Sequence, residues 1–397
     1  MYLFKKGIVM KVFTGDKGSI KKQLDILLSE FQKCDNITDG VLLLFSIVPL
    51  IELYCDYFNC SYEDVKLIEQ SEKYNSILDR ARELIKDRGD SFIGNKDHHL
   101  DFSSSIMSSM LDCLKDFNED CSTITEEYLY KIVSEYYSNT SGDDLKILND
   151  LIKNKNLYNC DIFDSSVYAS TIMDYYNKKG NIVTFSENNL KKSMMTILVH
   201  EVEHIKEMKD IESNNSKVDS FSYQHNSIYS EVLAIKAEKD FLEYLIENNI
   251  EKEYAINELN KNYLTTFTFL NQMMFLSFLD NDLLEDDRYM EYSREELVEI
   301  YRKKGLDIED MELLSNLDLN DEILYSYGGV LGTYFSYLEK SDPDKYNKVM
   351  DKFKQIRTTD YNECHLQMLG TNIDELGQIV RCEMTKYQKV QNKNYRK

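Results

Sequence analysis

The chain has no tryptophan, only two prolines and only 14 glycines in 397 residues. Proline and glycine are the residues that break helices and shape turns, so their scarcity predicts long helices with few interruptions. No pair of cysteines has C-x-x-C spacing. Cys34, Cys55, Cys60, Cys113, Cys121, Cys160, Cys364 and Cys382 stand scattered, which argues against both a zinc knuckle and a disulfide framework. A reducing, cytoplasmic location is the expectation. Met1 to Lys6 lacks a signal-peptide layout. The most apolar run, Val41–Tyr54, reads as too short to span a bilayer and contains Pro49 and Glu52, so a buried helix in a soluble protein, with no membrane partner, is expected. Basic residues are in deficit: 47 Lys and Arg against 70 Asp and Glu leave a net charge of −23. A surface of that sign repels phosphate and excludes a nucleic-acid partner. With no tryptophan, aromatic bulk falls to 29 Tyr and 18 Phe. The oligomeric state is left open.

Histidine is scarce too. Two of the six, His200 and His204, belong to His200-Glu201-Val202-Glu203-His204. This H-E-x-x-H run lies in a segment that reads as a helix. Residues four apart on a helix share a face, one turn above each other, so both imidazoles can reach one metal ion. Glu201, beside the first, can hold an attacking water. The alternative is a coincidental pair on a solvated helix. Met194, Met195, Ile197, Leu198, Val199, Val202, Ile205 and Met208 speak against it, because they make the helix apolar nearly all round and therefore buried. Buried His and Glu need partners, and a metal supplies them.

Catalytic zinc takes three protein ligands and keeps one position open. Glu231, near the start of a second helix expected over Ile228–Ile246, is the first candidate for the third. Glu238 is seven residues on, at the same face, with small Ala234 between them. A metal for Glu231 and a ring N–H of a ligand His for Glu238 would satisfy both acids. They could instead snorkel at the helix start, where the dipole favours them. His225, beside Tyr223 in an expected loop, is the rival ligand.

Before residue 160 the pattern is helical throughout, with helices expected at Ser19–Gln32, Val41–Phe58, Tyr62–Lys86, Phe102–Phe117, Thr125–Ser138 and Asp143–Lys155. The pair His98-His99 reads as a surface loop. Ser165–Ser170 and Asn181–Phe185 read as strands joined by a turn at Lys178-Lys179-Gly180. The second of them, through Ile182 and Val183, could pair with an extended peptide; it could equally be a structural hairpin. Helices resume at Glu251–Leu279, Asn320–Leu338, Asp342–Ile356 and Gly370–Val390. Within Asn320–Leu338, Tyr325-Ser326-Tyr327 precedes Gly328, Gly329 and Gly332. Each helical glycine costs about 1 kcal/mol against alanine, so close packing or a special role is implied there.

These stretches, in this order, resemble the oligoendopeptidase F / thimet oligopeptidase family of helical zinc metallopeptidases. The carrying residues are Thr196–Glu201, the H-E-x-x-H itself, Ser227–Val232 through Glu238, and Tyr325–Gly332, with Asp342–Tyr346 and Leu369–Thr371 similar to the family's closing helices. The resemblance covers roughly the C-terminal 60% of the chain. It implies one Zn²⁺ held by His200, His204 and Glu231, Glu201 as general base, and Tyr325 and Tyr327 as donors to substrate or oxyanion. The chain departs from the family's pattern at Glu203, where a glycine is usual, at Glu207, where a histidine is usual, and ahead of the Tyr-rich helix, where a histidine is missing.

The expected fold is mainly α: a helical zincin-type metallopeptidase with a small β-hairpin or sheet beside the active-site helix. The expected division is an N-terminal helical lobe over 1–160 and a catalytic lobe over 161–397. The expected function is a zinc-dependent endopeptidase of short peptides. In it Glu238 orients a ligand His, and Tyr223, His225, Ile182 and Val183 contact substrate. The alternatives are a dedicated processing or toxin-like protease with one protein substrate, a non-catalytic zinc-containing binding protein, and a metal-free helical scaffold.

Overall fold

The computed structural model describes residues 11–60, 75–81, 96–114, 120–160, 169–177, 179–185, 190–210, 228–277, 319–353 and 363–387. In chain order these hold α1 (Lys17–Lys33), α2 (Ile37–Glu52), α3 (Lys96–Met110), α4 (Glu126–Thr140), α5 (Gly142–Lys153), strands β1 (Leu157–Cys160), β2 (Ala169–Asp174) and β3 (Lys179–Phe185), then α6 (Met194–Asp210), α7 (Ile228–Glu247), α8 (Lys252–Ser277), α9 (Leu319–Ser341), α10 (Pro343–Phe353), α11 (Glu363–Met368) and α12 (Ile373–Lys386). The fold is mainly helical with one small sheet, as the composition and periodicity predict.

The chain forms two compact units: Met1–Arg88 with Asn118–His225 and Ala237–Glu258, and Gly89–Phe117 with Asn226–Lys236 and Leu259–Lys397. Each unit draws on segments from both sides of residue 160. Helix α7 is continuous across the boundary.

In the first unit the helix starts are capped by side chains. Asp16 and Ser19 form a reciprocal capping box at α1, and Thr125 and Ser141 cap α4 and α5. Ile20, Leu24, Leu27 and Phe31 of α1 recur at helical spacing and pack with Leu43, Ile47 and Leu50 of α2, Tyr158 of β1 and Val183 of β3. Helix α2 starts earlier than expected. With the π-helical turn after it, Ile37–Cys55 is 19 residues, long and apolar enough by composition to cross a membrane, contrary to the expectation from Val41–Tyr54. Val41, Leu43, Ile47 and Leu50 are at most 1% exposed, the pattern of a core helix.

The sheet has the order β1-β3-β2. β1 runs parallel to β3, with Leu157 opposite Ile182; β2 runs antiparallel to it, with Thr171 opposite Ile182. Two expectations are corrected. β1, expected as the end of a helical stretch, is a strand, and its Tyr158 ring is buried. Of the strand expected at Ser165–Ser170, Ala169 and Ser170 lie in β2 and the rest lies outside the described residues; Gly180, expected in the turn, lies within β3. A Cβ at Gly180 would fall 1.7 Å from Ile205 Cδ1, so a larger residue there requires the end of the Ile205 side chain to turn away from the strand.

The segment leading into α6 is held by charge. Lys192 Nζ lies 3.3 Å from Asp120 Oδ2 and 2.9 Å from Glu251 Oε2, and Tyr128 donates to Glu251 Oε1 at 2.7 Å. The Lys192 and Tyr128 bonds lower the Glu251 pKa from 4.5, and hydrogen bonds from Ser122 and then Lys192 lower that of Asp120 from 3.8. The Glu251 bond, ahead of Asp120, raises Lys192 above 10.5. Both depressed carboxylates stabilise the fold above their unfolded values and lose that contribution as pH falls through their folded ones. The raised lysine contributes below its unfolded value and loses this as pH rises through its folded one. The cluster is thus fully effective between about pH 5 and pH 10. Glu251→Gln is expected to cost about 1 kcal/mol at neutral pH. In thermal unfolding followed against pH, its gap from wild type should close as pH falls below 4.5 and through the lowered Glu251 value.

In the second unit α9 is the central helix. Ile323, Tyr327, Val330, Leu331, Tyr334, Phe335 and Leu338 are buried at three- and four-residue spacing. The Tyr334 hydroxyl donates to Leu369 O at 3.0 Å, and Lys345 Nζ to Gly370 O at 3.0 Å. The His98-His99 pair is not a surface loop. α3 begins at Lys96 and takes it in, and His99 is 1% exposed on the buried stripe of Phe102, Ile106 and Met110.

Candidate metal centre

Helix α6 buries Leu198, Val199, Val202 and Ile205. The Thr196 hydroxyl meets the Tyr254 hydroxyl at 2.7 Å in the interior, which fixes the helix before its motif begins. His200 and His204 then project one turn apart. Their Nε2 atoms lie 3.0 Å from each other, and the rings stand edge to face with centroids 4.7 Å apart.

Each group around this pair is held from behind. His200 Nδ1 is 2.5 Å from Glu238 Oε1 on α7. Donating Nδ1–H to that carboxylate directs the Nε2 lone pair at the point where the two rings converge. Burial, and then His200, push the His204 pKa well below its ordinary value, which favours the neutral ring, the form that can coordinate. Glu201 is 6% exposed. Burial raises its carboxyl pKa from 4.5, partly offset by His200 and by a hydrogen bond from Thr171 on β2.

Glu231 sits two turns before Glu238 on α7 and is set by the continuity of that helix. One ligand atom from each of His200, His204 and Glu231 lies within 4.8 Å of the others, and each residue is half-buried. Two imidazoles and a carboxylate, converging without a fourth protein ligand among the described residues, fit zinc with an open position.

Two departures from the family's pattern have local accounts. Glu203 accepts from Lys206 Nζ at 3.1 Å, and the same ammonium reaches Asp144 on α5 at 3.5 Å. Burial lowers the Lys206 pKa, but the two carboxylates outweigh it and raise it above the usual lysine value. Lys206 thus ties α6 to α5, with Glu203 as a second acceptor on its own helix. Glu207 is 2% exposed, inside the fold.

No protein-family model matches the chain, and no curated protein matches its sequence. Solved structures are similar at low identity. One, described as an oligoendopeptidase F from Bacillus anthracis str. Ames, has 11% identity and a TM-score of 0.47, covering 94% of this chain and 68% of that one. A PZ peptidase A with inhibitor has 9% identity and a TM-score of 0.44, covering 97% and 72%. Another oligoendopeptidase F structure has 10% identity and a TM-score of 0.43, covering 94% and 69%.

The remaining expected site residues divide. Tyr325 is half-buried and stacks on Phe269, centroids 4.9 Å apart. Tyr327 has no exposed surface: its ring stacks on Phe102 at 4.2 Å and its hydroxyl meets His99 Nδ1 at 3.2 Å. A hydroxyl in that position serves the core, which corrects the expectation for Tyr327. Ile182 and Val183 are wholly buried in the middle strand, both of whose edges are paired; no peptide can add to β3, and the outer strand against α6 is β2. Tyr223 and His225 lie outside the described residues. Sequence reading missed Thr171, which no motif marks and which lies one residue beyond the end expected for the first strand.

Proposed function

We propose that the chain is a cytoplasmic zinc-dependent endopeptidase acting on short peptides. The observation that carries this reading is the convergence of His200, His204 and Glu231, with Glu201 between the two histidines and Glu238 behind one of them. His200, His204 and Glu231 would hold one Zn²⁺. When bound, zinc supplies Lewis acidity for the scissile carbonyl and for the attacking water. Glu201 takes the water's proton and passes it to the leaving amine, a role suited by a carboxyl whose pKa burial has raised. Glu238 holds the His200 ring in one tautomer and orientation. Tyr325 is the candidate donor to the oxyanion. The substrate backbone runs beside β2, the outer strand that carries Thr171 next to Glu201.

The test is zinc stoichiometry together with hydrolysis of a mixed library of quenched fluorescent peptides. One zinc per chain with peptide cleavage is expected. One zinc without cleavage would move the assignment to a dedicated protein substrate or a binding role. Absence of zinc after loading would end the metallopeptidase reading.

A further inference from the structure

Thr171 lies on β2, whose alternate residues face different neighbours. Ile172 packs against the core cluster of α1 and α2. Thr171 belongs to the opposite face, and its hydroxyl donates to Glu201 Oε2 while lying 3.3 Å from the Glu201 carbonyl oxygen. The strand is fixed by its register on β3, with Thr171 opposite Ile182 and Ser170 opposite Val183. A β-branched threonine in a strand is held to few χ1 rotamers, so its hydroxyl is a stiff anchor. Glu201 is a longer side chain that turns about three bonds, and it occupies a site with 6% exposure. The side chain that would move the proton is thus held by a residue from another element, not by its own helix.

We propose that Thr171 is a positioning residue for Glu201, its hydroxyl fixing the carboxylate in the orientation from which it takes the proton of the attacking water. This rests on the peptidase reading above. A merely structural bond would contribute to folding and leave turnover unchanged. A positioning bond acts on the chemical step, because a general base works only from hydrogen-bond reach of the proton it removes. Removing one hydrogen bond to a charged group changes an equilibrium or rate by about tenfold or more.

The experiment compares the full zinc-loaded chain as wild type, Thr171→Val and Thr171→Ser. Valine keeps the shape and strand preference and removes only the donor; serine restores the hydroxyl. Thr171→Val is expected to lower kcat about tenfold or more, with KM within about twofold and one zinc retained, and Thr171→Ser to recover to within about threefold of wild type. Unchanged kcat in Thr171→Val would overturn the proposal, as would a fall shared equally by the serine variant. Crystal structures of zinc-loaded wild type and Thr171→Val supply a readout independent of turnover. The Glu201 carboxylate should be bound to Thr171 in the first and reoriented in the second, and a wild-type carboxylate out of reach of Thr171 would also overturn it. Should Thr171→Val fail to fold, the serine variant's kinetics and the wild-type structure decide. Should wild type hydrolyse no peptide, the peptidase reading falls separately, and the crystal structures still decide whether Thr171 sets Glu201.

Discussion

On the proposed function, Glu201→Gln is expected to keep one zinc per chain and to lose peptide hydrolysis by roughly a thousandfold, within the usual contribution of a general base. Glutamine matches glutamate in length and can still accept a hydrogen bond from Thr171 through its amide oxygen, so the surroundings need not rearrange. It cannot accept a proton from water at neutral pH. The proposed ligands are His200, His204 and Glu231, none of which the substitution touches, so metal content should be unaffected. The fold should not suffer either, because a buried carboxylate at 6% exposure carries a desolvation cost that a neutral amide avoids. The check is turnover of a fluorescent peptide beside zinc content on the same samples. Full activity in Glu201→Gln would sink the assignment of the base; loss of zinc would mean that Glu201 belongs to the metal's own coordination.

The second large effect lies away from the histidines. A Cβ at Gly332 of α9 would fall 3.0 Å from Val232 O and 3.2 Å from Lys236 N, both backbone atoms of α7. Backbone cannot rotate aside as a side-chain end can, so a larger residue must push the start of α7 away. Glu231 is the residue next to Val232 and travels with it. Gly332→Leu is therefore expected to cost about 2–3 kcal/mol of stability by overpacking and to weaken zinc affinity about tenfold or more by displacing a ligand. Gly142→Leu is the control, since nothing lies within 4 Å of a Cβ there. Zinc titration against a competing chelator, with thermal unfolding of the metal-free chains, separates the two effects. Equal zinc affinity in Gly332→Leu and wild type would refute the link between α9 packing and Glu231. The glycines beside the tyrosines thus have a reason in close helix packing, one of the two expected from their cost in a helix.

Much of the fold is legible because its determinants are local. Asp16-x-x-Ser19 is a cap within one turn, and the spacing of Ile20, Leu24, Leu27 and Phe31 needs only the pitch of a helix. The short strands were less legible. Leu157–Cys160 is a four-residue run directly after a helix, and so short a run has no resolvable period. His98-His99 was misread for a different reason: two polar-looking residues say nothing of the tyrosine that buries one of them.

The sequence by itself determined that His200, Glu201 and His204 share one turn of helix, that Glu231 and Glu238 share a face of another, and that long helices dominate. Helical pitch is a property of the backbone and needs no knowledge of what lies opposite. Only the tertiary structure decided that the histidine facing Glu238 is His200, 38 residues away, that Thr171 reaches Glu201 across 30 residues, and that Tyr327 is occupied by His99 across 228. It also decided that β3 is the middle strand, which removed Ile182 and Val183 from substrate contact. Pairing between distant segments follows from the burial and hydrogen bonding of the whole chain, and no local pattern of residues encodes which hydroxyl or carboxylate will stand across from a given side chain.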